Sequence, residues 1–290
     1  MRTGVSETVR LVACEVRRLR GVRSTWVVVA AVLLLNAALA AVSARRFPAG
    51  ELTATGAVRA MAGVAPWLPL PLTALGAAVL GALVYSNEMR WPGLAASRVN
   101  PVRRFGALLA KLLVVGASAV LLAVLTLAVN TLVVRFALPA AVDASALLSL
   151  PHPAELTALP GLAPAPAAGP FAVGGVGRPL PAYLALAVAG GWAGLLLTAL
   201  VRSALVGVLL TGATPALLEP TAGLLLHRLG LNWPVWIREL LPFQYGLNVV
   251  RVAADRTAAA LDGMVIAALL APAALLVLAV LVAQLRRRAL

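Results

Sequence analysis

Residues 107–134 read ALLAKLLVVGASAVLLAVLTLAVNTLVV, and Lys111 is the one charged residue among them. About 20 consecutive apolar residues carry a helix across the hydrocarbon layer of a bilayer. This run exceeds that length, so the helix it predicts is tilted or extends past the membrane. Comparable runs stand at about 26–42, 66–85, 182–201, 204–226 and 264–283. The whole chain agrees with this reading. Of its 290 residues 62% are hydrophobic and 12% charged, with a mean hydropathy of +0.97. Soluble domains carry roughly a quarter charged residues, and a chain this apolar takes lipid as its solvent. The expected fold is an all-α integral membrane protein, one domain of six transmembrane helices.

The segments between the runs give the expected layout. Val5, Val9, Val12, Val16, Leu19 and Val22 recur at helical spacing, which predicts an amphipathic helix over 5–22, lying in the headgroup plane with its apolar side on the membrane. Residues 86–106 form a charged loop between the second and third spans. Nine prolines between 138 and 181 exclude a continuous helix there, so this is a long external loop. Only Arg202 and Ser203 separate the fourth and fifth spans, which predicts a tight antiparallel hairpin. Trp233, Trp236, Phe243 and Tyr245, interrupted by Pro242, suit short helices at the membrane interface.

Charge sets the orientation. The formal net charge is +14. A soluble protein with that balance points to nucleic acid, but here the basic residues cluster at the ends of apolar runs, which is the pattern of topology and anionic headgroups. With the N-terminus inside, fifteen of the 24 Lys and Arg residues fall on the cytoplasmic side. Both termini are therefore expected in the cytoplasm, with the chain in the cytoplasmic membrane and no nucleic acid as partner. The single cysteine, Cys14, excludes an internal disulfide and reads as a small packing residue on the first helix.

Absences narrow the function. The one lysine, Lys111, follows Ala110, so no phosphate-binding loop with its Gly-Lys-Ser/Thr exists. His152 and His227 stand apart and build no metal cluster. The chain is expected to be non-catalytic and to hold no cofactor of its own. Acids inside the spans are also scarce, which disfavours a charge-coupled transporter. The candidate is Glu219, followed by Pro220. It reads either as a rim residue that caps or kinks its helix or as a substrate or proton contact in an outer vestibule. Asn36 and Asn130 are polar residues within spans and suit interhelical hydrogen bonds. Gly190 and Gly194 have the spacing that lets two helices approach closely, within the chain or at a dimer interface.

The most informative stretch is Glu88-Met89-Arg90-Trp91-Pro92-Gly93, then Arg98-Val99-Asn100-Pro101-Val102-Arg103-Arg104, then Lys111. It resembles the permease subunits of type-2 ABC transporters. They carry a Glu after the second span, a Gly soon after it, a Pro-x-x-Arg segment and a Lys opening the third span. Glu88, Gly93, Pro101, Arg104 and Lys111 match those positions in order. The resemblance implies a membrane-spanning subunit of an ATP-driven exporter, paired as a homodimer or with a similar permease. Hydrolysis would occur in a separate ABC ATPase chain. It also implies that residues 86–106 dock onto that ATPase through Glu88, Arg90, Arg98, Arg103 and Arg104, flanked by the N-terminal helix. The spans' few polar residues suit a hydrophobic or amphiphilic substrate. A non-transporting membrane scaffold or assembly protein would have the same composition, and a secondary transporter is the third alternative.

Overall fold

A computed structural model describes residues 2–46, 50–51, 60–63, 68–90, 101–138, 142–143, 179–218, 221 and 243. The architecture is all-α, apart from a two-residue parallel pair. The elements are α1 (Arg2–Gly21), α2 (Arg23–Ala44), β1 (Gly50–Glu51), α3 (Leu72–Arg90), α4 (Pro101–Ala137), β2 (Val142–Asp143), α5 (Pro179–Val201) and α6 (Ala204–Ala213). The strands pair Gly50 with Val142 and Glu51 with Asp143. Among the described residues, three helices are long and apolar enough to cross a membrane: Arg23–Ala44, Gly106–Ala137 and Tyr183–Val201. The described parts of the next two, Leu72–Asn87 and Ala204–Leu217, are apolar but shorter.

Local chemistry fixes the helix ends. α1 closes with Arg18 and Arg20 in its last turn, where cations suit the negative end of the helix dipole. α3 begins just beyond Pro71, whose carbonyl accepts from the Ala74 and Leu75 amides. α4 starts on Pro101, a first-turn position that needs no N–H. Its 37 residues measure about 55 Å at 1.5 Å per residue, well beyond a hydrocarbon layer of about 30 Å. α5 ends on Arg202, which adopts φ 60 and donates its N–H to the Thr198 carbonyl at 2.8 Å. This left-handed stop is usually glycine's. Ser203 then caps α6, its Oγ accepting from the Val206 amide at 3.5 Å. Past α6 the chain widens into a π turn over Thr214–Leu218. Pro215 sits within it and lacks the amide that a normal helical ladder requires.

The helices alternate in direction. α3 and α5 run parallel with their backbones in contact. A Cβ on Gly190 would strike the Ala74 carbonyl, one on Gly194 the Ala78 backbone, and one on Gly81 the Gly191 carbonyl. α4 runs antiparallel to α5. The Trp192 indole donates to the Leu112 carbonyl at 2.8 Å near one end, and Ala123 meets Tyr183 and Leu186 in the core toward the other. α2 joins through Val32, packed on Leu80 and Leu122. α6 folds back on α5 with Gly207 against Thr198. One end of the bundle therefore gathers α1, the end of α3, the start of α4 and the Arg202 turn. The opposite end holds a buried helical turn at 60–62 that ends at Gly63, packed with Ala40, Ala44 and Val134. Leu109, Leu113, Leu121, Val124 and Leu132 form an exposed apolar stripe along α4, the face lipid would cover.

Several expectations need adjustment. The second apolar run becomes a helix from Leu72 to Arg90 rather than over 66–85, because Pro69 and Pro71 stay outside the ladder. Residues 86–106 are not a loop throughout: 86–90 continue α3 and 101–106 open α4. α1 does not turn its whole apolar side to lipid, since Leu19 packs on the Val84, Leu108 and Leu112 cluster of the bundle. Cys14 is exposed, because it lies on the face of α1 opposite Leu19. Phe243 is buried in the core beside Tyr183 instead of joining an interfacial belt. The sixth run at 264–283, most of the external loop and the other aromatics at 233–245 lie outside the described residues.

Two sets of variants test this packing by thermal unfolding in detergent. Gly194→Val drives a branched side chain into the Ala78 backbone and is expected to cost about 1–3 kcal/mol or more. Gly106→Ala meets nothing within 4 Å and should be neutral or stabilising by up to about 1 kcal/mol. Arg202→Gly relieves the left-handed residue and should stabilise the α5–α6 hairpin by about 1 kcal/mol.

Candidate functional site

At the basic end, α1 lies across the bundle through its second half. Leu19 enters the cluster of Val84, Leu108 and Leu112, with Tyr85 and Trp192 packed beside it. Glu15, Arg18 and Leu19 line a shallow crevice whose other wall is Leu83, Val84 and Asn87, from the last turns of α3. Glu88 and Arg90 follow within the same helix. Pro101, Arg103 and Arg104 form the first turn of α4, and Lys111 lies further along that helix, 5% exposed. Three helices thus present 88–90, 101–104 and the second half of α1 at one end. Gly93 and Arg98 lie outside the described residues.

The opposite half of the bundle holds a polar cluster. Asn36 and Asn130 are both fully buried. The Asn36 amide nitrogen donates to the Val32 carbonyl of its own helix at 2.8 Å. The Asn130 amide nitrogen donates to the Met61 carbonyl at 2.8 Å, so α4 holds the 60–63 turn. Gly63 closes that turn at φ 57, and a Cβ there would lie 2.7 Å from Asn36 Oδ1 and 3.2 Å from Asn130 Nδ2. Both amides therefore converge on one glycine. Because each nitrogen is engaged by a carbonyl, the open ends are the oxygens, and neither Asn36 Oδ1 nor Asn130 Oδ1 has a hydrogen-bond partner.

A second polar group links the spans within the core. The Thr73 and Tyr183 hydroxyls lie 2.6 Å apart and hydrogen-bond. Thr126 Oγ1 donates to the Leu122 carbonyl of its own helix. The sequence reading missed this group, together with Gly63 and Trp192. Tyr183 stands at the head of an apolar run, where it reads as an interfacial aromatic. Trp192 carried a usable signal, being a large donor set between Gly191 and Gly194.

Of the remaining candidates, Gly190 and Gly194 both face α3 within this chain. Glu219 lies outside the described residues. The described side chains offer no group of three or more His, Cys, Asp or Glu that could hold a metal ion.

Asn130→Ala removes the donor to Met61 and leaves that carbonyl buried in an apolar setting. The expected loss is about 1 kcal/mol, read as a lower unfolding temperature in detergent. Gly63→Ala should cost more, because it adds both a left-handed alanine and a contact with Asn36. Comparison of the chain with family models, with curated proteins and with solved structures gives no match.

Proposed function

We propose that this chain is the membrane-spanning permease subunit of an ATP-driven exporter resembling the type-2 ABC transporters. In this reading it crosses the cytoplasmic membrane six times, keeps both termini in the cytoplasm, and pairs with a second copy or a similar permease. A separate ABC ATPase supplies the energy. The observation that carries the reading is the gathering of α1, the Glu88–Arg90 end of α3 and the Pro101–Arg104 start of α4 at one end of the bundle. A subunit without its own nucleotide site receives work only through a contact with its partner. That contact must be stiff to transmit force, and here α3 and α4 continue as helices into the apolar bundle while α1 packs against them through Leu19.

The reading also accounts for the length of α4. Roughly 25 Å of it exceeds the hydrocarbon thickness, enough to carry its first turns into the aqueous phase toward a soluble partner. The interior supports the expected substrate class. The buried polar side chains among the described residues are Asn36, Thr73, Lys111, Thr126, Asn130, Thr198 and Thr211. Most of their hydrogen bonds go to the protein's own backbone. An interior of this kind suits a hydrophobic or amphiphilic cargo rather than a charged one.

Reversing charge at the docking segment tests the proposal. The double variant Arg103→Glu/Arg104→Glu should insert normally, measured by membrane fractionation, and lose co-purification of the ATPase encoded or expressed with it. An unchanged ATPase yield in the pull-down would reject the docking role.

A further inference from the structure

α1 has two unlike faces. Leu19 is packed on the bundle, and Val12, Glu15, Val16 and Arg18 on the same side are half-buried. Arg10, Ala13, Cys14, Arg17 and Arg20 are exposed on the other side, at intervals of three and four residues. Arg23 continues this exposed face onto the first residue of α2. Among the described side chains of α1 and α2 the exposed charges are all basic, so the four arginines form a cationic strip. An ordinary solvated surface intersperses both signs.

The strip's height is set by Trp26. That residue is 59% exposed, and its indole N–H donates to the Arg20 carbonyl at 3.0 Å. The end of α1 is therefore tied to the start of the lipid-facing stripe of α2, which continues through Val27 (66% exposed), Leu34 and Leu35. Tryptophan with its N–H turned to a polar group marks the headgroup level. Arg23 stands about 6 Å along the axis from Val27, and a headgroup layer is about 5–8 Å deep. Arg20 and Arg23 thus sit where lipid phosphates lie, one turn from residues that face acyl chains.

We propose that Arg17, Arg20 and Arg23, with Trp26 beside them, bind the anionic headgroups of phospholipids in the leaflet at the basic end of the bundle. A guanidinium is suited to this task, because its fork of N–H donors matches phosphate oxygens. The partner is lipid rather than a soluble protein because Arg23 heads the exposed apolar stripe of α2 and Trp26, within that stripe, is tied to Arg20. Bound lipid holds α1 in place, and through Leu19 it holds the contact of α1 with α3 and α4. The proposal rests on α2 crossing the bilayer and does not require an ATPase.

The test uses the purified full-length chain in neutral detergent, without any ATPase, so its result is independent of the exporter reading. Phosphatidylglycerol or phosphatidylcholine is titrated in and thermal unfolding is followed. Phosphatidylglycerol should raise the unfolding temperature where phosphatidylcholine does not, and its apparent affinity should fall as sodium chloride increases. The Arg17→Gln/Arg20→Gln/Arg23→Gln variant should weaken that affinity on the order of tenfold. The corresponding triple Lys variant should keep most of it. Arg45→Gln/Arg46→Gln, at the other end of α2, should leave it unchanged. Equal responses to the two lipids, a salt-independent response, full binding by the Gln variant, or loss of binding on changing Arg45 and Arg46 would each overturn the proposal. If the Gln variant does not fold, lipid selectivity and salt dependence in the unaltered chain decide the matter.

Discussion

The contact of α3 with α5 is the constraint on which the other packing depends. Lipid tails are as apolar as leucine, so helices in a membrane gain little by hiding apolar surface from one another. They associate where shape permits close approach. Ala74, Ala78 and Gly81 on one helix and Gly190, Gly191 and Gly194 on the other bring the two backbones together along several turns. With α5 held there, Trp192 reaches the Leu112 carbonyl. Gly116 leaves the space for it, since a Cβ on Gly116 would lie 3.2 Å from the indole nitrogen. The same seating of α5 lets Tyr183 reach Thr73 across the parallel pair. Small residues set the distances, and the long polar-tipped side chains then span them.

The polar groups of the interior follow a different rule. A buried amide in apolar surroundings is costly unless its hydrogen-bonding groups find partners. Asn36 and Asn130 each satisfy the nitrogen and leave the oxygen open. Their engaged ends differ in consequence. The Asn36 bond lies within α2 and adds no tie between elements. The Asn130 bond reaches from α4 to Met61, two segments 69 residues apart in sequence. That bond holds the helical segment at 60–62 against α4, and Gly63 lets it end against both amides. The position therefore joins α2, α4 and the intervening turn at one point, although the sequence between α2 and α3 shows no periodic pattern that would foretell it.

What the sequence makes legible here is what a bilayer dictates. A membrane demands runs of a given length, so α2, α4 and α5 stand out from hydropathy alone. The α5–α6 hairpin is equally plain because only Arg202 and Ser203 interrupt the apolar run. Helix ends are less visible, since backbone hydrogen bonding continues where hydrophobicity stops. The oily stretch ends near Tyr85 while α3 runs on to Arg90, and Pro101 opens α4 well before its apolar part. Partners are the least visible. Gly190 and Gly194 announce a close contact, but Ala74 and Ala78 are alanines in a chain full of alanines. Cys14 and Leu19 show the same limit on α1: the valine spacing reveals two faces, while only the bundle decides which face is covered.

The arrangement also restricts how the bundle could move. α3 and α5 touch backbone to backbone, and α4 is bound to α5 by Trp192, so these three helices behave as one body. A displacement at the Glu88 and Pro101 ends is then carried to the Thr73 and Tyr183 end with little loss, because close-packed interiors transmit strain. α6 is attached differently. It leaves α5 through a two-residue turn whose first residue is left-handed, and it passes into a π turn at Pro215. A missing amide and a widened ladder are the usual sites of helix bending. Bending is therefore cheapest at the Pro215 turn beyond the Gly207–Thr198 contact, and shear is most costly within the α3–α4–α5 body, where it would force the Gly194 and Ala78 backbones past one another.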